Sequence, residues 1–170
     1  MNIFDATVPQ LAKTLKNLDN WLVAATAYAD KRKFPVDNLI HARLAPDQFT
    51  FVRQVQTACD NAKFIPGRLT GKEWPQHPDV ETTFEQLRAR IASVQEHIAT
   101  YTAEDFAGAD DRHITLPWME GKWMTGAEYV NQFALPNFYF HVCNAYAILR
   151  HNGVELGKRD YIGSVPMRSA

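Results

Sequence analysis

Three side chains near the C-terminus have the types and spacing to act together. Asn137, His141 and Asn144 stand at i, i+4 and i+7 in the stretch Leu135-Pro-Asn-Phe-Tyr-Phe-His-Val-Cys-Asn-Ala-Tyr-Ala-Ile-Leu-Arg-His-Asn-Gly153. On a helix they share one face, beside Phe133 and Ile148. Such a polar line could wall a small-molecule pocket between helices, or its imidazole could hold a metal. It could equally be a satisfied network inside a bundle, since each buried donor or acceptor left unpaired costs roughly 1–3 kcal/mol.

Other reactive groups are less organised. Cys59 and Cys143 lie far apart without CxxC spacing, which fits two buried thiols in a reduced compartment, and no histidine is placed to activate Cys143. Among the remaining histidines, His41, His77, His97, His113 and His151, no two share ligand spacing, and His77 is expected to be solvated between two prolines. No phosphate-binding loop, nucleophile elbow or dinucleotide fingerprint occurs. A formal net charge of −1 with scattered Lys and Arg argues against a nucleic-acid partner. Without a secretory start or a long apolar segment the chain is expected to be cytoplasmic and free of membranes.

The elements that must position the polar line follow from period. Val8, Leu11, Leu15, Leu18, Leu22, Ala25 and Ala29 form a bundle-helix seam, capped by Thr7 with Gln10 and entered through Pro9. A loop through about Leu44 leads to a second helix expected to begin at Pro46, with Phe49, Val52, Val55, Cys59 and Ala62 as its stripe, Gln56 and Asp60 flanking it, and Pro66-Gly67 as its kink or end. Trp74 lies in the next loop and is expected to tuck against the bundle. Asp79 is the expected cap of a third helix carrying Val80, Phe84, Leu87, Ile91, Val94, Ile98 and Tyr101. From His113 the period drops to two through Ile114, Leu116 and Trp118, a short hairpin that Pro117 keeps at an edge. The last helix enters through the capping box of Thr125 and Glu128, breaks at Pro136 and stops at Gly153. An extended tail follows. The Tyr139, Cys143 and Tyr146 face reads as core or dimer packing, and its apolar character supports a homodimer.

These features together resemble the DinB/YfiT-like metalloenzyme superfamily, and in particular an uncharacterised bacterial domain-of-unknown-function branch of it. The residues that carry the resemblance are Arg43-Leu-Ala-Pro-Asp47, Gln54-Val, Ala58-Cys-Asp60, Glu81-Thr-Thr-Phe84, Arg90-Ile91, Pro136-Asn-Phe-Tyr-Phe-His141, Ala145-Tyr-Ala-Ile-Leu-Arg150 and Asn152-Gly153, which span most of the chain. It implies an all-α, DinB-like four-helix bundle with a short β-hairpin before the last helix, one domain over residues 1–170. It also implies a metal site of one histidine on the second helix and an HxxxH pair on the fourth. His141 takes the place of the second member of that pair and Asn137 the place of the first. On the second helix the facing group is Gln54, Gln56 or Asp60. The metal triad is therefore degenerate, with His141 as a lone strong donor for a zinc or nickel ion. The expected function is a small-molecule-binding or accessory protein with a polar pocket of Gln56, Asp60, Asn137, His141 and Asn144. The alternative is a metal-dependent transferase or hydrolase using His141 as ligand.

Overall fold

Four long helices enclose one apolar core in the computed structural model of the protein, which describes residues 2–168. They are α1 (Ile3–Arg32), α2 (Phe51–Thr70), α3 (Phe84–Ile98) and α5 (Leu135–His151). Their seams interlock as the period predicts, with Leu11, Leu15, Leu18, Leu22, Val55, Leu87, Ile91 and Val142 sealed from solvent. α5 packs on α2, α2 on α3 and α3 on α1, and α1 closes the ring against α5 and α2. Before α5 come the two-residue strands β1 (His113–Ile114) and β2 (Met124–Thr125), paired antiparallel with His113 opposite Thr125, and then a single turn of helix, α4 (Gly126–Glu128). The four-helix bundle with its hairpin is the fold, and among the described residues no helix is long and apolar enough to cross a membrane.

Several boundaries differ from those expected. α1 starts at Ile3 rather than near Val8, because the Asn2 side chain accepts from the Asp5 amide at 2.8 Å; Thr7 lies inside the helix and bonds back to the Ile3 carbonyl. α2 starts at Phe51, not Pro46. Its opening amides are satisfied from a distance, Phe51 N–H by the Ala42 carbonyl and Val52 N–H by that of Ile40. Phe49 is thereby left outside the helix, 49% exposed. Pro66-Gly67 does not end α2, which continues to Thr70, and a Cβ on Gly67 would collide with the Trp74 ring that packs there as anticipated. α3 is capped by Thr83 with Gln86, not by Asp79, and Val80 is exposed.

The hairpin is shorter than its alternating pattern suggested, since Pro117–Met119 forms a 3₁₀ turn in place of strand. Trp123 stacks on His113 at 3.6 Å and Trp118 leans on Phe133. The break near Pro136 takes the form of a wide π turn, Tyr129–Ala134, in which the Leu135 amide reaches back to the Val130 carbonyl. The tail is not wholly extended. Lys158–Ile162 forms α6, held to α1 by Asn17 Nδ2 donating to the Tyr161 carbonyl and Trp21 Nε1 donating to that of Asp160.

Candidate functional site

The polar line of α5 meets α2 and the turn before it in three rungs. His141 Nδ1 lies 2.7 Å from Gln54 Oε1, Asn137 Nδ2 donates to Asn61 Oδ1 at 2.9 Å, and Gln48 Nε2 donates to Asn144 Oδ1 at 3.2 Å. The residue numbers run in opposite directions, as antiparallel helices require. Of the three groups that could have faced His141 from the second helix, Gln54 is the one that does. The groups facing Asn137 and Asn144, Asn61 and Gln48, were not among those expected, although Gln54 and Asn61 stand seven apart within the apolar inner stripe of α2, a spacing that marks a shared face.

The chemistry of His141 follows from its neighbours. The other end of the Gln54 amide, Nε2, donates to the Phe49 carbonyl at 3.5 Å. A carbonyl only accepts, so that contact selects the amide orientation and presents Oε1 to His141. Oε1 in turn requires a proton on Nδ1. Burial pushes the His141 pKa down, and the positive charge of Arg53 adds to the effect, so near neutral pH the ring is uncharged and Nε2 keeps its lone pair. Nε2 makes no hydrogen bond to any described residue and is not among the sealed polar atoms, so water reaches it. Phe49 stacks over the ring at 6.1 Å and Phe140, 54% exposed, meets it edge-on at 5.2 Å. One rung away, Gln48 Oε1 is buried without a partner among the described residues.

Gln56 and Asp60 do not join this site. They belong to a separate charged cluster that clamps α2, α3 and the intervening loop. Arg90, its side chain 1% exposed, contacts Asp60 at 2.7 Å and both Asp79 and Glu81 at 3.0 Å. Gln56 Nε2 donates to Glu81 at 2.8 Å and Lys63 Nζ pairs with Asp60 at 2.9 Å. Arg53 closes the set on Asp79, giving three cations against three carboxylates. Burial raises the Glu81 pKa, but the hydrogen bonds from Gln56 and Arg90 outweigh it and hold the carboxyl below its usual range. His77, expected in solvent, sits between Lys63 Nζ at 3.0 Å and Ser93 Oγ at 3.1 Å, and burial followed by the charge of Lys63 lowers its pKa. Asp79 is drawn into this cluster and so cannot cap α3.

The two thiols also separate. Cys59 is fully buried, and burial pushes its pKa up to about 12. Cys143 is exposed, against expectation, with its sulfur 3.0 Å from the Tyr161 hydroxyl. Tyr161 also meets Tyr146, so α6 covers part of the face of α5 whose apolar residues suggested a dimer.

Residues 3–162 match the family described as Domain of unknown function (DUF1993). The chain belongs to that family. It is also similar to a DinB family member protein from Shewanella denitrificans whose crystal structure is solved, with 47% identity over 99% of this chain and 96% of that one and a TM-score of 0.96. No curated protein matches it. The DinB-like, uncharacterised domain assignment expected from the sequence therefore holds. The metal that the superfamily resemblance implies finds a poor donor set here. His141 offers one nitrogen, and its surroundings are carboxamides already engaged with one another, which are weak ligands for zinc or nickel. Among the described residues no three His, Cys, Asp or Glu side chains are placed to hold a metal ion together. These residues do not fit a resident transition metal.

Proposed function

We propose that this protein binds a small molecule at the seam between α2 and α5, as a binding or accessory protein. The ligand gives a hydrogen bond to His141 Nε2 and lays an apolar or aromatic body against Phe49 and Phe140. The observation that carries this role is the Gln54–His141 contact, which fixes the proton on Nδ1 and leaves Nε2 as an acceptor open to water. Asn137 and Asn144 act as wall and register, because both are already hydrogen-bonded across or along the seam. A homodimer and a cytoplasmic setting form part of the proposal. With Cys143 and Tyr146 engaged by α6, the exposed Trp118 and Trp123 are among the apolar groups available to a second copy.

The test is an NMR titration with phenol, which has a donor, and anisole, which has the same ring and none. Phenol should shift the His141 imidazole nitrogens saturably in the millimolar range and anisole should not. Equal binding of the two, or shifts that avoid His141, would overturn the proposal. The metal-dependent transferase or hydrolase alternative is read in the same samples: stoichiometric zinc or nickel in protein purified without chelator, lost in His141→Ala, would put it in place of ligand binding alone.

A further inference from the structure

A concavity lies away from His141, at the C-terminal end of α2. It measures about 650 Å³, within the usual range of ligand pockets, and Arg68, Gly71, Lys72, Glu73 and Trp74 line it. Its charge is only partly compensated. Lys72 is paired with Asp105 at 2.6 Å, whereas Arg68 forms no ion pair among the described residues. The Arg68 guanidinium is wedged against aromatic rings, 4.9 Å from Phe64, 5.8 Å from Trp74 and 6.0 Å from Tyr129. It spends one nitrogen, Nη1, on the Tyr129 hydroxyl at 3.1 Å. Nε and Nη2 have no protein partner and are not sealed from water, and together they form the two-pronged edge that grips a carboxylate with parallel hydrogen bonds.

A second guanidinium approaches Gly71 at the rim of the cleft. Arg112, exposed and without an ion pair among the described residues, brings Nη1 to 3.1 Å from where a side chain on Gly71 would begin. Gly71 has φ +79°, so it both ends α2 and leaves that space clear. The helix end itself contributes roughly half a negative charge, and Glu73 one more, against the two guanidiniums. The unpaired Nε–Nη2 edge of Arg68 in the cleft, with Arg112 at its rim, offers an anion its binding point. The cleft is much larger than a phosphate ion, and the half-buried Trp74 indole gives it an apolar wall suited to a flat ring.

We propose that this cleft binds a small planar organic carboxylate, held by Arg68 with Arg112 at the rim and stacked on Trp74. The probes are 2-naphthoate, its uncharged counterpart 2-naphthamide, and inorganic phosphate, each titrated against the full chain while the Trp74 indole signal is followed by NMR. Naphthoate should shift that signal saturably, and naphthamide should bind about tenfold more weakly. Arg112→Gln and Glu73→Gln alter exposed residues and should leave the fold intact. The first should weaken naphthoate binding and the second tighten it, each by about two- to fivefold, the range of one partly screened charge. Arg68→Gln should abolish the saturable shift, and His141→Gln should leave it unchanged, which keeps the result independent of the α2–α5 seam. Equal binding of naphthoate and naphthamide, phosphate binding as tightly as naphthoate, or charge variants without effect would overturn the proposal.

Discussion

Replacing Gln54 with leucine would test the chemistry assigned to His141. Gln54 and His141 are 1% and 6% exposed, and the 2.7 Å contact between them is the partner of Nδ1–H. Leucine preserves most of the volume, so the loss is polar and not a cavity. An unpaired buried donor costs roughly 1–3 kcal/mol. The imidazole can relieve part of that by moving its proton to Nε2, which meets water, and the expected destabilisation is therefore about 1–2 kcal/mol. For a chain of this size it corresponds to a drop in Tm of about 2–8 °C. Urea unfolding should show a lower midpoint with an unchanged slope, the sign of altered stability without altered exposed surface. Imidazole nitrogen spectra should show the tautomer moving from Nδ1–H toward Nε2–H, and phenol binding should fall with it. Gln54→Glu should do the opposite, placing a carboxylate on Nδ1–H and raising the His141 pKa. A leucine variant that melts with the wild type and keeps Nδ1–H would refute the claim that Gln54 sets the tautomer.

Three further outcomes are expected. His77 and His141 have folded pKa values below the ordinary histidine value, by burial first and by the neighbouring charges of Lys63 and Arg53 second, so the unfolded chain binds more protons in that window; stability should be full above about pH 6.5 and decline as pH falls through the lowered values, an acid limb visible as a falling urea midpoint. Arg90→Met should cost about 3 kcal/mol by the same assay, toward the lower end for a broken buried ion pair because Asp60 and Asp79 reach water, and an unchanged midpoint would show that the clamp contributes nothing. Iodoacetamide should modify Cys143 readily in the folded protein and Cys59 only after unfolding, so rapid loss of both thiols would contradict the burial of Cys59.

The helices were legible because hydrophobic period is local. The seam of α1, the stripe of α3 and the polar line of α5 each follow from spacings of three and four, and Pro136 disturbs its helix wherever the neighbours lie. Boundaries set by distant partners were not legible. Phe51 begins α2 because Ala42 lends it a carbonyl, and α6 is too short to show a period and is held by Asn17 and Trp21 far away in sequence.

The candidate site divides in the same way. Helical spacing determined that Asn137, His141 and Asn144 share a face, and that Gln56 and Asp60 lie one turn apart. It could not determine which helix each face meets. Tertiary structure sent Gln54 and Asn61 to α5, Gln56 to Glu81 in the loop before α3, and Asp60 to Arg90 on α3. The physical reason is that side-chain direction along a helix is fixed by the chain itself, whereas the partner across the interface is fixed by how the helices rotate to bury their apolar stripes.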